Sequence, residues 1–244
     1  MELTNKVALI TGAAVRVGRA IAVNLAKEGV KVGLHYHQSE AKARQVLAQI
    51  TSNGGEGFLV KGDFSKVSEI QEVVDKCYEH FKNIHILVNN AALYFRTPFG
   101  ETTEKQWDEL LTVNLKAPFF CAQYVAEIMK RQNGGKIINI ADVAAILPWS
   151  GYIPYCASKA GLIGLTKGLA KALAPHIQVN AVAPGTVLMG DNATEEEREA
   201  IENLTLLKRI GTPEDVVNAI LFLLKGSDYV TGTVIAVDGG RLLV

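Results

Sequence analysis

Tyr155 and Lys159, in Tyr155-Cys156-Ala157-Ser158-Lys159, stand four residues apart and share a face of any helix that holds both. A phenol titrates at about 10 and moves protons poorly at neutral pH unless its phenolate is stabilised. An ammonium one helical turn away would lower that value, so the pair is a candidate proton-transfer device. On its own this spacing is weak, because most such pairs are a core tyrosine beside a solvated lysine. Its weight depends on what the rest of the chain places around it.

Short β-rich runs alternate with longer amphipathic stretches along the chain. Strand-like runs cover 7–11, 30–36, 57–61, 84–89, 136–141, 177–183 and 234–238, and most are continuously apolar. That is the signature of parallel strands covered on both faces. Helical patterns cover 17–28, 40–53, 66–82, 102–132, 153–174 and 213–225, with one more at about 194–206 that is acidic at its start. Such alternation predicts an α/β fold of Rossmann type, a doubly wound, seven-stranded parallel sheet with helices on both faces. No linker or composition break divides the chain, so 1–244 reads as one domain. The irregular stretch after Pro184-Gly185 follows a strand's C-terminal end, where doubly wound sheets hold ligands, and 186–206 reads as a substrate flap.

The first strand-to-helix turn reads Thr11-Gly12-Ala13-Ala14-Val15-Arg16-Val17-Gly18. Small residues here let the backbone approach a pyrophosphate at the N-terminus of the following helix, where free N–H groups and the dipole favour anions. A chain that holds NAD usually carries an acid about 20 residues on, at the end of the second strand, for the ribose 2′-hydroxyl. Here that place reads His35-Tyr36-His37-Gln38-Ser39, with no carboxylate before Glu40. A 2′-phosphate would accept hydrogen bonds from His37, Gln38 or Ser39, and Arg16 could add charge to it or to the pyrophosphate. NADP(H) is therefore expected over NAD(H).

Over essentially its whole length the chain resembles the short-chain dehydrogenase/reductase family. The glycine turn looks like that family's T-G-x-x-x-G-x-G, with Arg16 for the middle glycine. Asn89-Asn90-Ala91-Ala92 is similar to its N-N-A-G, and Tyr155-x-x-x-Lys159 falls after the fifth strand, where the nicotinamide end should lie. The resemblance implies a cofactor set of Gly12, Arg16, Val17, Gly18, His37, Ser39, Asp63, Phe64, Asn90, Ala91, Tyr155, Lys159, Pro184 and Gly185. Within it, Asp63 would accept from the adenine amino group and Lys159 would hold the nicotinamide ribose. It further implies that Asn114 holds a water in the proton relay.

The family's usual serine, thirteen residues before the tyrosine, is here Asp142. An ionised carboxylate only accepts hydrogen bonds. It would oppose an oxyanion and suit a ring bearing N–H and amino groups. Arg16, His35 to Ser39, Asp142 and Tyr94 together look like the pteridine reductase branch. That resemblance implies hydride transfer from NADPH to a C=N bond in a pterin or folate, with Arg16, Tyr94, Asp142 and Tyr155 at the substrate. The alternatives are a 3-oxoacyl-thioester or other carbonyl reductase, with Asp142 protonated or bypassed, and an NADP(H)-binding sensor without turnover.

Lys plus Arg and Asp plus Glu balance at 25 each, with 48% hydrophobic and 20% charged residues. No global field would draw in nucleic acid or an anionic membrane. No apolar run reaches the roughly 18 residues that a spanning helix needs, and the N-terminus lacks a signal-peptide layout, so a cytoplasmic protein is expected. Cys77, Cys121 and Cys156 are spaced for neither a disulfide framework nor a metal site. The stretches 102–132 and 153–174 carry more apolar positions than one sheet face needs, among them Phe119, Phe120, Tyr124, Ile163 and Leu169. The resemblance implies a homotetramer built by pairing these helices; the alternative is burial within the monomer.

Overall fold

The computed structural model describes residues 1–190 and 193–244; Asp191 and Asn192, within the expected flap, lie outside the described residues. Among the described residues seven strands run parallel in one sheet: β1 Val7–Ile10, β2 Lys31–Tyr36, β3 Gly57–Lys61, β4 Ile86–Asn89, β5 Gly135–Ile140, β6 Ile177–Pro184 and β7 Val234–Val237. Their spatial order is β3-β2-β1-β4-β5-β6-β7. The direction of winding reverses between β1 and β4, and this switch point opens a crevice at the strands' C-terminal ends.

Side-chain alternation along each strand feeds two cores. On one face Ala8 and Ile10 of β1 meet Ile21 and Leu25 of α1 (Arg16–Lys27), Val46 and Ile50 of α2 (Glu40–Ser52), and Val216 and Ile220 of α8 (Pro213–Leu221). On the other, Leu9 meets Ile70 and Val74 of α3 (Val67–Phe81), Val125 and Met129 of α5 (Ala117–Arg131), and Ala170 of α6 (Ile153–Leu173). Because both faces are covered, the central strands read as apolar runs rather than as an alternating pattern.

The helix expected over 102–132 is not continuous. α4 (Glu104–Leu111) passes through a wide π turn, Thr112–Lys116, into α5. Pro118 supplies the reason. In an unbroken α-helix its N–H would bond the Asn114 carbonyl four residues back, and proline has none. A second π turn, Phe222–Gly226, ends the helix expected to run to 225. The acidic helix expected over 194–206 forms as α7, Glu195–Asn203, with a capping box between Thr194 and Glu197.

Of the five apolar residues expected to be in excess, Phe119 is exposed. Phe120, Tyr124 and Leu169 half-bury against the α3 and α5 core, and Ile163 packs on Ala141, Ala181 and Ala183. Cys77, Cys121 and Cys156 are buried and unpaired. Among the described residues no helix is long and apolar enough to cross a membrane, and no cluster of metal-binding side chains occurs.

Candidate active site

A cavity of about 1250 Å³ follows the switch point. Every residue expected to hold the cofactor lines it, as do Tyr94 and Asp142, whereas Asn114 does not.

At one end lies the glycine turn. Gly12 sits at φ +64°, and a Cβ there would come within 2.9 Å of the Ala91 Cα. A Cβ on Gly18 would run into the Gly12 carbonyl and the Asn90 amide. Only hydrogen fits at both positions, so the backbone is free to approach a ligand closely. α1 starts here without a capping side chain on Val15, which leaves its first N–H groups for an anion. The Asn90 amide donates to the Thr11 and Gly12 carbonyls at 2.9 and 3.1 Å, so its role is to brace the turn. His37, Gln38 and Ser39 are exposed along the cavity wall. Asp63 accepts from the Ser65 N–H at 3.0 Å, beside buried Phe64. A close-approach turn, an uncapped helix start and exposed hydrogen-bond donors at the end of β2 fit a dinucleotide carrying an extra phosphate.

Arg16 takes the left-handed conformation, φ +51°, which suits the glycine of the motif that this turn resembles. Its guanidinium donates to the Leu188 carbonyl at 3.1 Å, so it ties the turn to the segment after β6.

At the other end, α6 holds Tyr155 and Lys159 on one face. The Tyr155 hydroxyl donates to Asp142 Oδ2 at 2.7 Å, and Asp142 Oδ1 accepts from the Ala144 N–H at 2.8 Å. Lys159 donates to the Ile140 carbonyl at 2.8 Å, with its Nζ 5.8 Å from the centre of the Tyr155 ring. This corrects the expectation that the ammonium lowers the phenol's pKa. Burial first, and then the facing Asp142 carboxylate that accepts its hydrogen bond, hold Tyr155 well above its ordinary value. Burial also raises Asp142, and it lowers Lys159 to about 8 against the pull of Asp142.

Asn114 lies in the π turn, behind this pair. Its Oδ1 accepts from the Leu93 N–H at 2.8 Å and its Nδ2 donates to the Leu93 carbonyl at 2.9 Å. The same Nδ2 donates to Ser158 at 3.2 Å, and Ser158 donates to the Tyr155 carbonyl at 2.7 Å. The side chain is thus a strut between the end of β4 and α6.

Tyr94 is 56% exposed and stacks on Tyr152, with ring centres 4.8 Å apart. It meets Tyr155 edge-on at 5.0 Å, and Trp149 closes the group. Sequence reading missed Trp149 and Tyr152. The available signal was two aromatics in Pro148-Trp149-Ser150-Gly151-Tyr152, a turn-rich loop feeding straight into the tyrosine helix. It also passed over His35 as a buried polar group in a parallel strand.

A family model described as enoyl-(acyl carrier protein) reductase matches residues 12–241. The chain is 37% identical over 243 residues to 3-oxoacyl-[acyl-carrier-protein] reductase FabG of Staphylococcus epidermidis, covering 98% of this chain and 100% of that one. A putative short-chain alcohol dehydrogenase from Sinorhizobium meliloti superposes with a TM-score of 0.94 at 33% identity, over 99% of this chain and 98% of that one. The angucycline C-6 ketoreductase LanV, solved with bound NADP, superposes with a TM-score of 0.93 at 30% identity, over 100% and 98%. With these matches, a parallel sheet wound as 3-2-1-4-5-6-7 and a tyrosine–lysine helix lining the cavity, the chain is an oxidoreductase of the short-chain dehydrogenase/reductase family.

Proposed function

We propose that the chain is an NADP(H)-dependent reductase acting on a C=N bond in a flat pterin or folate-type ring, held where Tyr94, Asp142 and Tyr155 converge. One observation carries this reading: the Tyr155 hydroxyl faces a carboxylate, Asp142, at 2.7 Å. A ketone oxygen gains negative charge as it is reduced and needs donors on every side. A ring bearing N–H and amino groups finds an acceptor in Asp142 and stacking surface in Tyr94.

When bound, reduced NADP supplies the hydride. His37, Gln38 and Ser39 would meet its 2′-phosphate, the first turn of α1 its pyrophosphate, and Asp63 its adenine. Tyr155 stays protonated because burial and Asp142 raise its pKa, which suits a proton donor in the reductive direction. Asp142, itself raised, would anchor the ring's N–H groups and share the proton with Tyr155. Lys159 would orient the nicotinamide ribose, and Asn114 would hold the helix in register through Ser158. Residues 186–206 would act as a flap pinned to the cofactor side by Arg16. Phe119, exposed on α5, supports pairing of the long helices into a homotetramer, which light scattering would test.

The names of the relatives, 3-oxoacyl reductase and ketoreductase, favour a second reading. In it Asp142 acts protonated and donates to a carbonyl, a state that its raised pKa makes more accessible. Dihydropterin and acetoacetyl-thioester assayed side by side with NADPH separate the two, and inactivity on pterins ends the first. Asp142→Ser should lose about 100-fold on pterins. Equal or higher turnover of the thioester by that variant supports the carbonyl reading.

A further inference from the structure

His35 lies inside β2, 2% exposed, in an otherwise apolar run. A buried imidazole must satisfy both ring nitrogens, and here each nitrogen reaches a different loop. Nδ1 lies 3.1 Å from the Gly12 N–H, and Nε2 lies 3.1 Å from the Gly62 carbonyl. A backbone N–H only donates and a carbonyl only accepts, so the tautomer is fixed: Nδ1 is bare and Nε2 carries the proton. The His35 main-chain carbonyl also accepts from the Ala13 N–H at 2.9 Å. The ring stacks on Phe64 at 3.8 Å between centres, 17° from parallel. One residue thus grips the glycine turn on one side and the Gly62-Asp63-Phe64 loop on the other.

We propose that His35 is a positioning residue that fixes the separation of these two loops and thereby sets affinity for the dinucleotide as a whole, without setting the preference for a 2′-phosphate. The proposal rests on the dinucleotide reading above, in which the glycine turn takes the pyrophosphate and the Asp63 loop the adenine. A ligand bridging both loops binds best when their spacing is already correct, since none of its interaction energy then goes into ordering them. Gly12 is clamped at both ends, its N–H by His35 and its carbonyl by Asn90, so releasing one end lets the turn relax. Burial holds the imidazole's pKa down at about 4, so Nδ1 stays available as an acceptor at neutral pH. The 2′-phosphate donors are the exposed residues beyond Tyr36, which His35 does not contact through its ring.

The test is equilibrium binding of NADPH and NADH by nucleotide fluorescence, with kcat measured at saturating cofactor. His35→Phe keeps a stacking ring and removes both hydrogen bonds. Its Kd should rise about tenfold or more for both dinucleotides alike, consistent with two lost hydrogen bonds, while kcat changes little. His35→Asn, whose Oδ1 can still accept from Gly12, should recover part of the affinity, and it serves as the test if the phenylalanine variant does not fold. His37→Ala should instead change the ratio of the two Kd values. Unchanged Kd in His35→Phe and His35→Asn, or a shifted NADPH-to-NADH ratio in either, overturns the proposal while leaving the cofactor reading intact. A wild-type chain that binds neither dinucleotide overturns the cofactor reading and this proposal with it.

Discussion

The two ends of the cavity are built in opposite ways. Around β1, β2 and β3 the shape of the cavity is set by the backbone, through glycines, tight turns and main-chain hydrogen bonds that few substitutions could reproduce. Around β5, α6 and the segments after β4 and β6 it is mostly side chain: a phenol, a carboxylate, an ammonium and the aromatics Tyr94 and Trp149 on a scaffold that would accept others. In the dinucleotide reading proposed above, the first end has one geometrical task, to hold the phosphates and adenine at a fixed spacing. At the second, under the proposed function, the identity of a single side chain would decide which substrate is stabilised. That contrast predicts where substitutions will destroy binding and where they will redirect it.

The sharpest test of the contrast is Tyr155→Phe. Removal of the hydroxyl should lower kcat by about 10³-fold, within the range for a lost general acid, and shift dinucleotide Kd far less in a fluorescence titration, since the ring and Lys159 remain in place. A matching loss of dinucleotide affinity would mean that the two ends are not separable. The reverse pattern is expected from Gly18→Ala, whose methyl must displace the Gly12 carbonyl. Dinucleotide Kd should rise about 100-fold, roughly 3 kcal/mol of phosphate hydrogen bonding, in a protein whose circular dichroism stays native.

A pH profile probes the side-chain end alone. Lys159 is cationic below its lowered pKa of about 8 and neutral above it, so kcat/KM should fall roughly tenfold per unit on the alkaline side of pH 8. Tyr155, pushed upward, stays protonated through that window. Lys159→Arg, which remains charged, should carry what activity it keeps to higher pH; an unchanged alkaline limb would assign that limb to another group.

The smallest effect is expected where the two ends touch. Arg16→Gly relieves a left-handed backbone, about 1 kcal/mol, so the thermal midpoint should hold or rise. The Leu188 anchor is lost at the same time, and KM for the second substrate should increase a few-fold.

The same contrast explains what could be read from the residues. The glycine turn, the seven strands and the residues that line the first end of the cavity were legible because backbone requirements leave few permissible residue types. His37, Ser39, Asp63 and Asn90 could be placed by counting from strand ends. The acidity of Tyr155 could not, because it depends on how deeply the phenol is buried and on the Asp142 carboxylate that faces it once α6 has packed against the segment after β5. Asn114 was picked out by motif, yet its side chain braces Leu93 and Ser158, contacts across elements far apart in sequence. Trp149 and Tyr152 were missed because loop aromatics declare their neighbours only after the chain has folded. The break near Pro118 could have been foreseen, since a proline inside a helical pattern removes one donor and the ladder must adapt.

That break also has a rotational consequence. Each residue advances an α-helix by about 100°, so widening one turn shifts the angular phase of everything beyond it. α4 and α5 therefore present their apolar stripes in different directions from one nearly continuous rod, the first towards α6 and the second towards α3. An exact α-helical repeat through 112–116 would force one stripe to face water whenever the other was correctly seated. A single proline thus works as a phase adjuster, letting one length of helix serve two packing partners.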